Sequence, residues 1–190
     1  KFLATRKITQ DNAGKKTPGV DKRIIKSPKD KYNLATNVKV DGKCSPISKK
    51  YIPKPDGRNR PLGIPTIEDR VKQELVYLAM GPQWEAQFEA TSYGFRPGRS
   101  VVDAIENVWV GIVKKPKWVL DADISKCFDS INHKYLIEKC NTFTSIKRQI
   151  KSWLKAGILD GEEYTLLEMG TPQGGVISPL LSNIALHGLR

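Results

Sequence analysis

A period-two run at Lys117 to Ile124 limits the fold more than any other stretch of the chain. Trp118, Leu120, Ala122 and Ile124 fall on one side of an extended backbone, and Val119, Asp121 and Asp123 fall on the other. It is the one strongly buried-looking strand in 190 residues, and one strand cannot make a sheet. The rest of the chain is mainly helical in its periodicity. The expectation is an α+β domain whose sheet is incomplete and gains further strands after residue 190.

The flanking segments have their own signals. Residues 10–50 are polar and Lys-rich, broken by Gly14, Pro18, Gly19, Pro28, Gly42 and Pro46. They read as loops around short elements. Tyr51 to Pro65 reads as a hairpin turning at Pro55-Asp56-Gly57, with basic residues near its tip. Ile67, Val71, Leu75, Leu78 and Ala79 recur at helical spacing up to Gly81-Pro82, which should stop the helix. A second short helix should carry Trp84 and Phe88. Ser92 to Arg99 is a loop. Ser100 and Asp103 form a capping box that opens a helix to about residue 113. Helices are expected at about 132–140 and 145–156, a hairpin at Asp160-Gly161, and an apolar helix from Ser178. Trp109, Trp118 and Trp153 fall on apolar faces and are expected in the core. Trp84 and Phe88 are expected there too, with Cys127 and Cys140 as small buried residues.

Charge divides the chain unevenly. Residues 1–60 hold 17 Lys/Arg against 5 Asp/Glu, while residues 61–190 hold 15 of each. The net charge of +12 therefore sits in the first third, as expected of a polyanion-binding surface on a neutral core. Three cysteines without a C-x-x-C pair argue against zinc and against a disulfide framework, and fit a reducing, cytoplasmic setting. Only His133 and His187 are available for a histidine-centred site. No apolar run is long enough to span a membrane. Neither terminus looks natural, which suggests a piece of a longer protein.

The candidate chemistry lies where the strand ends, at Asp121-Ala-Asp123. Carboxylates at i and i+2 share one face and offer hard oxygen ligands to a cation such as Mg²⁺. An isolated D-x-D is more often a strand ending in solvent. The surrounding residues change that balance. The stretch D-A-D-I-S-K-C-F-D-S-I-N-H, residues 121–133, resembles the first metal-binding motif of reverse transcriptases. Tyr51 to Pro65 resembles the fingers hairpin of that family, and Ser92 to Ile105 its following loop and helix. Gly170-Thr-Pro-Gln-Gly-Gly-Val-Ile-Ser-Pro resembles the block beside the nascent base pair. Thr9 to Asp21 looks like the amino-terminal block of group II intron reverse transcriptases, which retroviral enzymes lack. The resemblance covers essentially the whole chain.

The resemblance implies right-hand polymerase fingers and the N-terminal part of a palm. Residues 1–50 would be a basic RNA-binding extension, 51–115 the fingers and 116–190 a partial palm. Asp123 would be the catalytic, metal-binding aspartate, with the Ile124 carbonyl a further ligand. Phe128 would be the steric gate against a 2′-hydroxyl. Lys54 and Arg60 would meet the triphosphate of the incoming nucleotide, and Gln173 the nascent pair. Tyr93, Phe95, Arg96 and Arg99 form a basic aromatic loop suited to template, and Lys15 and Lys16 join them as RNA-binding residues. Asp121 is secondary.

The implied activity is RNA-directed DNA polymerisation with two Mg²⁺ ions in the complete enzyme. The primer 3′-hydroxyl would attack the α-phosphate of a dNTP. Partners would be intron RNA, a DNA primer or target and dNTP, with assistance to splicing. A homodimer and an organellar origin stay open. The alternative is an RNA-binding splicing cofactor with a relic polymerase site. The family's later Tyr-x-Asp-Asp box lies outside these 190 residues, so the chain alone is expected to be inactive.

Overall fold

The computed structural model describes residues 1–189 apart from 54–56, 58, 126, 167, 168, 172 and 173. The chain opens with helix α1 (Phe2–Arg6), a π-helical turn (Lys7–Asp11) and a 3₁₀ turn (Ala13–Lys16). Helix α2 (Pro28–Asn37) follows, started by the Ser27 hydroxyl, which accepts from the Asp30 N–H, and by Pro28 in its first turn. Residues 10–50 are therefore more ordered than their composition suggests. Strands β1 (Ile47–Pro53) and β2 (Asn59–Ile64) form the expected antiparallel hairpin, in a register that pairs Ile52 with Arg60 and Ser48 with Ile64.

Helix α3 (Ile67–Glu85) is the spine of the structure. Thr66 caps it by accepting from the Asp69 N–H. Gly81-Pro82 does not end it. Pro82 lies in the last turn, where its missing N–H removes a single helical bond and the helix runs on to Glu85. The separate helix expected around Trp84 does not form; Trp84 closes α3 and Phe88 follows it into the core.

The apolar interior has two parts, and α3 passes through both. Val76, Met80 and Trp84 pack with Leu136, Ile150, Trp153, Leu154, Leu181 and Ile184. Ile67 and Val71 pack with Ala4, Ile8 and Val38. Helix α6 (His133–Lys139), helix α7 (Thr144–Leu154) and helix α8 (Ser178–Leu186) supply the larger cluster, after helix α4 (Val101–Ile112) and the four-residue α5 (Cys127–Ser130). Apart from exposed Glu68, the polar residues in the first half of α3 are buried, so they need partners, and they find them in other segments. Asp69 accepts from the Ser45 N–H, Arg70 donates to the Gly14 and Thr17 carbonyls, Lys72 pairs with Asp41, and Gln73 accepts from the Val176 N–H.

Glu74 is fully buried, and its Oε1 lies 2.7 Å from Lys7 Nζ, whose side chain is 48% exposed. Among the described residues its Oε2 has no hydrogen-bond partner. We expect Lys7→Met to lower unfolding stability by roughly 2–3 kcal/mol, because it strands a buried carboxylate; the outward-facing lysine keeps the figure below that of a fully buried pair. Urea titration of the two forms measures this, and a loss under 0.5 kcal/mol would show that water reaches Glu74.

The sheet differs from expectation. Strands β3 (Ile158–Asp160) and β4 (Glu163–Thr165) form the anticipated hairpin at Asp160-Gly161, with Gly161 at φ +65°. The order is β2-β1-β3-β4, with β3 parallel to β1. Residues 117–124 take no part in it. They form no strand, and Trp118, Val119 and Leu120 are exposed. Trp109 on α4 is exposed as well, so of the three tryptophans assigned to apolar faces only Trp153 is core. The period-two pattern is real, but a strand needs a neighbouring edge, and no described residue offers one.

Candidate nucleotidyl-transfer site

Three sequence blocks of the expected site meet at the segment 127–131 and at α8, and the fourth, the hairpin, joins them through the Gly-rich run. Thr171 N–H donates to the Phe128 carbonyl at 2.7 Å, and Gly170 N–H donates to Ile131 O at 2.9 Å. His133 Nε2 lies 2.7 Å from Gly170 O; a carbonyl only accepts, so this nitrogen carries the proton. Gly170 has φ +82°, and a Cβ there would stand 2.7 Å from Asp129 Cα. Gly174 has φ +114°, and its Cβ would stand 2.5 Å from the Gly63 carbonyl on β2. The Gly-rich run is thus a clasp: one glycine lets it touch the segment bearing Phe128, and the other lets it touch the base of the hairpin. Gln73 holds the run two residues further on, accepting from Val176 N–H at 2.7 Å. Gln173 and Lys54 lie outside the described residues. Arg60 is described and sits on β2.

Phe128 is half-buried on α5, and its ring meets Phe95 edge-on with centroids 6.3 Å apart. Phe95 has φ +58° and an exposed ring. The loop 92–99 is fastened to α8 by Asn183, whose Nδ2 donates to Gly94 O at 2.9 Å. Cys127 Sγ lies 3.7 Å from Ser182 Oγ on the same helix. Helix α8 therefore holds both Phe128's segment and Phe95's loop.

The four expected template residues of the loop do not act alike. Arg96 turns inward and is buried: its Nε donates to both Glu85 carboxylate oxygens at 2.8 Å, and its Nη1 to the Glu89 and Ser92 carbonyls. Its guanidinium also covers Phe88. A group so enclosed cannot reach a template, and Arg96 is reassigned as the residue that folds the loop. Arg99 donates to the Ala90 and Ser92 carbonyls and sits over the Tyr93 ring, 5.4 Å from its centroid. Tyr93 and Arg99 are half-buried, and Phe95 is open.

Asp121 and Asp123 are exposed, as is Ile124. Their oxygen donors suit a hard divalent cation. Two carboxylates are few for such an ion, and among the described residues no group of three His, Cys, Asp or Glu is placed to hold one. Lys15 Nζ donates to the Gln10 carbonyl at 2.6 Å and Lys16 is exposed, both on the 3₁₀ turn that Arg70 holds by its carbonyls. Arg70, Gln73, His133 and Asn183 are the positioning residues that sequence reasoning missed. Their signal was weak: polar residues in helical runs otherwise read by their apolar members.

A carboxylate–imidazole contact closes the far end of α8. Glu89 Oε2 lies 3.0 Å from His187 Nδ1, and its Oε1 accepts from Gly188 N–H. Its own backbone N–H, the His187 ring and Gly188 N–H together lower its carboxyl from 4.5 to about 2. A depressed carboxylate stabilises the fold above its unfolded value and loses that contribution as pH falls through the folded one. Glu89→Gln should therefore melt lower than the parent chain at pH 7, and the gap should close between pH 4.5 and about 2. Melting curves across that range decide it; a gap that stays constant would place the effect in packing.

A family model described as reverse transcriptase (RNA-dependent DNA polymerase) matches residues 52–190, and one described as N-terminal domain of reverse transcriptase matches residues 1–38. The chain is 38% identical to protein YkfC of Escherichia coli, over 95% of its own length and 51% of that protein. It is 36% identical to the group II intron-encoded protein LtrA of Lactococcus lactis, over 100% of its own length and 31% of the relative. The chain thus spans about half of the first relative and about a third of the second. A solved partial Cas6-RT-Cas1–Cas2 complex aligns with 97% of this chain and 31% of the other, at a TM-score of 0.55 and 22% identity, a likeness of fold. A reverse transcriptase domain implies a divalent metal in general. No described helix is long and apolar enough to cross a membrane. With family models matching both its amino-terminal block and everything from the hairpin onward, the chain belongs to the reverse transcriptase family, and its relatives include group II intron-encoded proteins.

Proposed function

We propose that the full-length protein is an RNA-directed DNA polymerase of a group II intron that also binds its intron RNA and assists splicing. The observation that carries this reading is the clasp at Phe128. A half-buried aromatic ring, five residues after Asp123, is held through its own carbonyl by the block that contains Gln173. That fits a site where a sugar is judged by shape beside a metal-binding carboxylate. Asp123 and the Ile124 carbonyl would hold Mg²⁺, with Asp121 secondary, and the metal would supply charge stabilisation to the transferring phosphoryl group. Lys54 and Arg60 would bind the triphosphate and Gln173 the nascent pair. Tyr93, Phe95 and Arg99 would line the template path, and Lys15 and Lys16 would bind RNA.

In this reading residues 1–50 are the RNA-binding extension, 51–115 the fingers and 116–190 part of the palm. Two metal ions need more carboxylates than Asp121 and Asp123 provide, so the 190-residue chain alone would not polymerise. The test is primer extension on an RNA template by the full-length protein with dNTPs and Mg²⁺. Extension is expected. Splicing assistance without any extension would establish the relic-site alternative instead.

A further inference from the structure

Although residues 61–190 are neutral as a whole, their charge is not evenly spread in space. Arg148 and Lys151 on α7, with Lys155 at its C-cap, are spaced i, i+3, i+7 and all exposed. At 1.5 Å per residue they form a stripe about 10 Å long. They form one wall of a groove of about 510 Å³, whose other residues include Gly42, Cys44, Ser45, Pro46 and Tyr164. The lining contains three cations and no anion. Among the described residues none of the three cations forms an ion pair. Of the nearby acids Asp41 is engaged by Lys72 and Asp160 by Lys49, while Glu162 and Glu163 beside Tyr164 are exposed and Glu138 lines a neighbouring cavity with Lys151 and Lys155, all three outside the groove's own lining.

Two glycines shape the groove. Gly42, at φ +79°, would place a Cβ 2.7 Å from Arg148 Nε, so the arginine stem lies directly across its backbone. Gly157 would place a Cβ 2.1 Å from the Tyr164 ring, so that ring lies against bare main chain while remaining half exposed. Buried Gln149 locks the loop to α7, accepting from Gly42 N–H and donating to the Lys43 carbonyl. Basic residues in the last turn of a helix also complement its dipole, which accounts for Lys151 and Lys155. It does not account for Arg148, for the lack of any acid on the wall, or for an aromatic ring set opposite.

We infer that this groove binds a single-stranded stretch of RNA, with its phosphates on Arg148, Lys151 and Lys155 and a base stacked on Tyr164. Cations along a backbone track and one aromatic platform are the ordinary means of holding a single strand. The surface is distinct from Lys15 and Lys16 and from the Asp123 site. Its failure would leave the polymerase reading untouched.

The test is fluorescence anisotropy of the full-length protein with a labelled single-stranded 12-nucleotide RNA, over a range of salt. Replacing Arg148, Lys151 and Lys155 by Gln together should make the slope of log K against log salt shallower by about 2, since each phosphate contact on a single strand contributes about 0.7. Tyr164→Ala should weaken single-stranded binding between about five- and a hundred-fold, affect a duplex of the same sequence less, and be rescued by Tyr164→Phe. Lys15→Gln with Lys16→Gln, measured in parallel, separates the N-terminal surface from this one. Melting curves identify variants that fail to fold; for those, Arg148→Lys and Tyr164→Leu replace the larger changes. An unchanged slope in a folded triple variant overturns the inference. So does equal weakening of single strand and duplex by Tyr164→Ala, which would mean an unspecific polyanion face.

Discussion

Asp123→Asn in the full-length protein should reduce primer extension on RNA by at least about 10³-fold while leaving the melting temperature within a degree or so of the parent. The substitution keeps shape and volume and removes one negative charge. Because Asp123 is exposed and belongs to a segment that forms no helix or strand, the fold has little to lose. Asp123 supplies the one side chain assigned outright to the metal, so the loss is placed on the step where charge develops, where a single removed electrostatic contact commonly costs 10²–10³ and a metal ligand more. Asp121→Asn should cost clearly less, since Asp121 is secondary. Equal losses from the two would make the pair a joint ligand set. Full activity in Asp123→Asn would remove it from the site.

Phe128→Ala, again in the full-length protein, should raise incorporation of ribonucleotides relative to deoxynucleotides at least about tenfold, equivalent to about 1.4 kcal/mol between the two transition states. The ring would exclude the 2′-hydroxyl by bulk, so truncation admits the ribonucleotide without removing a contact that the deoxynucleotide needs. A purely structural role makes a different forecast. Removing a fully buried phenylalanine leaves a cavity costing about 3–5 kcal/mol, and both nucleotides would lose activity together. The surroundings of Phe128 favour the first outcome. It is half-buried, its ring partner Phe95 is itself exposed, and the chain at this point is held through the Phe128 carbonyl, which any residue would provide. Steady-state kinetics with both nucleotides, beside a melting curve, distinguishes them. Equal loss with a lower melting temperature would move Phe128 into the core.

These forecasts draw on different depths of the sequence. The hairpin at Asp160-Gly161, the Ser100/Asp103 capping box and helices α6 and α7 were readable because each is specified within a few residues by turn chemistry, capping or a clear apolar stripe. The reverse transcriptase family was readable for the same reason: its motifs are contiguous. Helix α2 escaped because its signals, Ser27 and Pro28, stood in a segment whose apolar residues are too few to show a period.

The tertiary structure decided what depends on a partner distant in sequence. The stretch 117–124 has a faultless strand pattern, yet it forms no strand here, because pairing is a property of two edges and alternation describes only one. In the sequence Gly170 and Gly174 are only glycines of a recognised block, and what they provide in the fold is close approach to two other backbones. Arg96 belonged by composition to a basic, template-facing loop, and Glu85 turned it inward, since a guanidinium beside a carboxylate and two carbonyls is better satisfied buried than facing water. Sequence by itself determined which local elements form and which family's motifs they carry. The long-range pairing of charges and backbone groups across α3, α8 and the Gly-rich clasp determined where those motifs meet, because such pairs are chosen by three-dimensional proximity and leave no period along the chain.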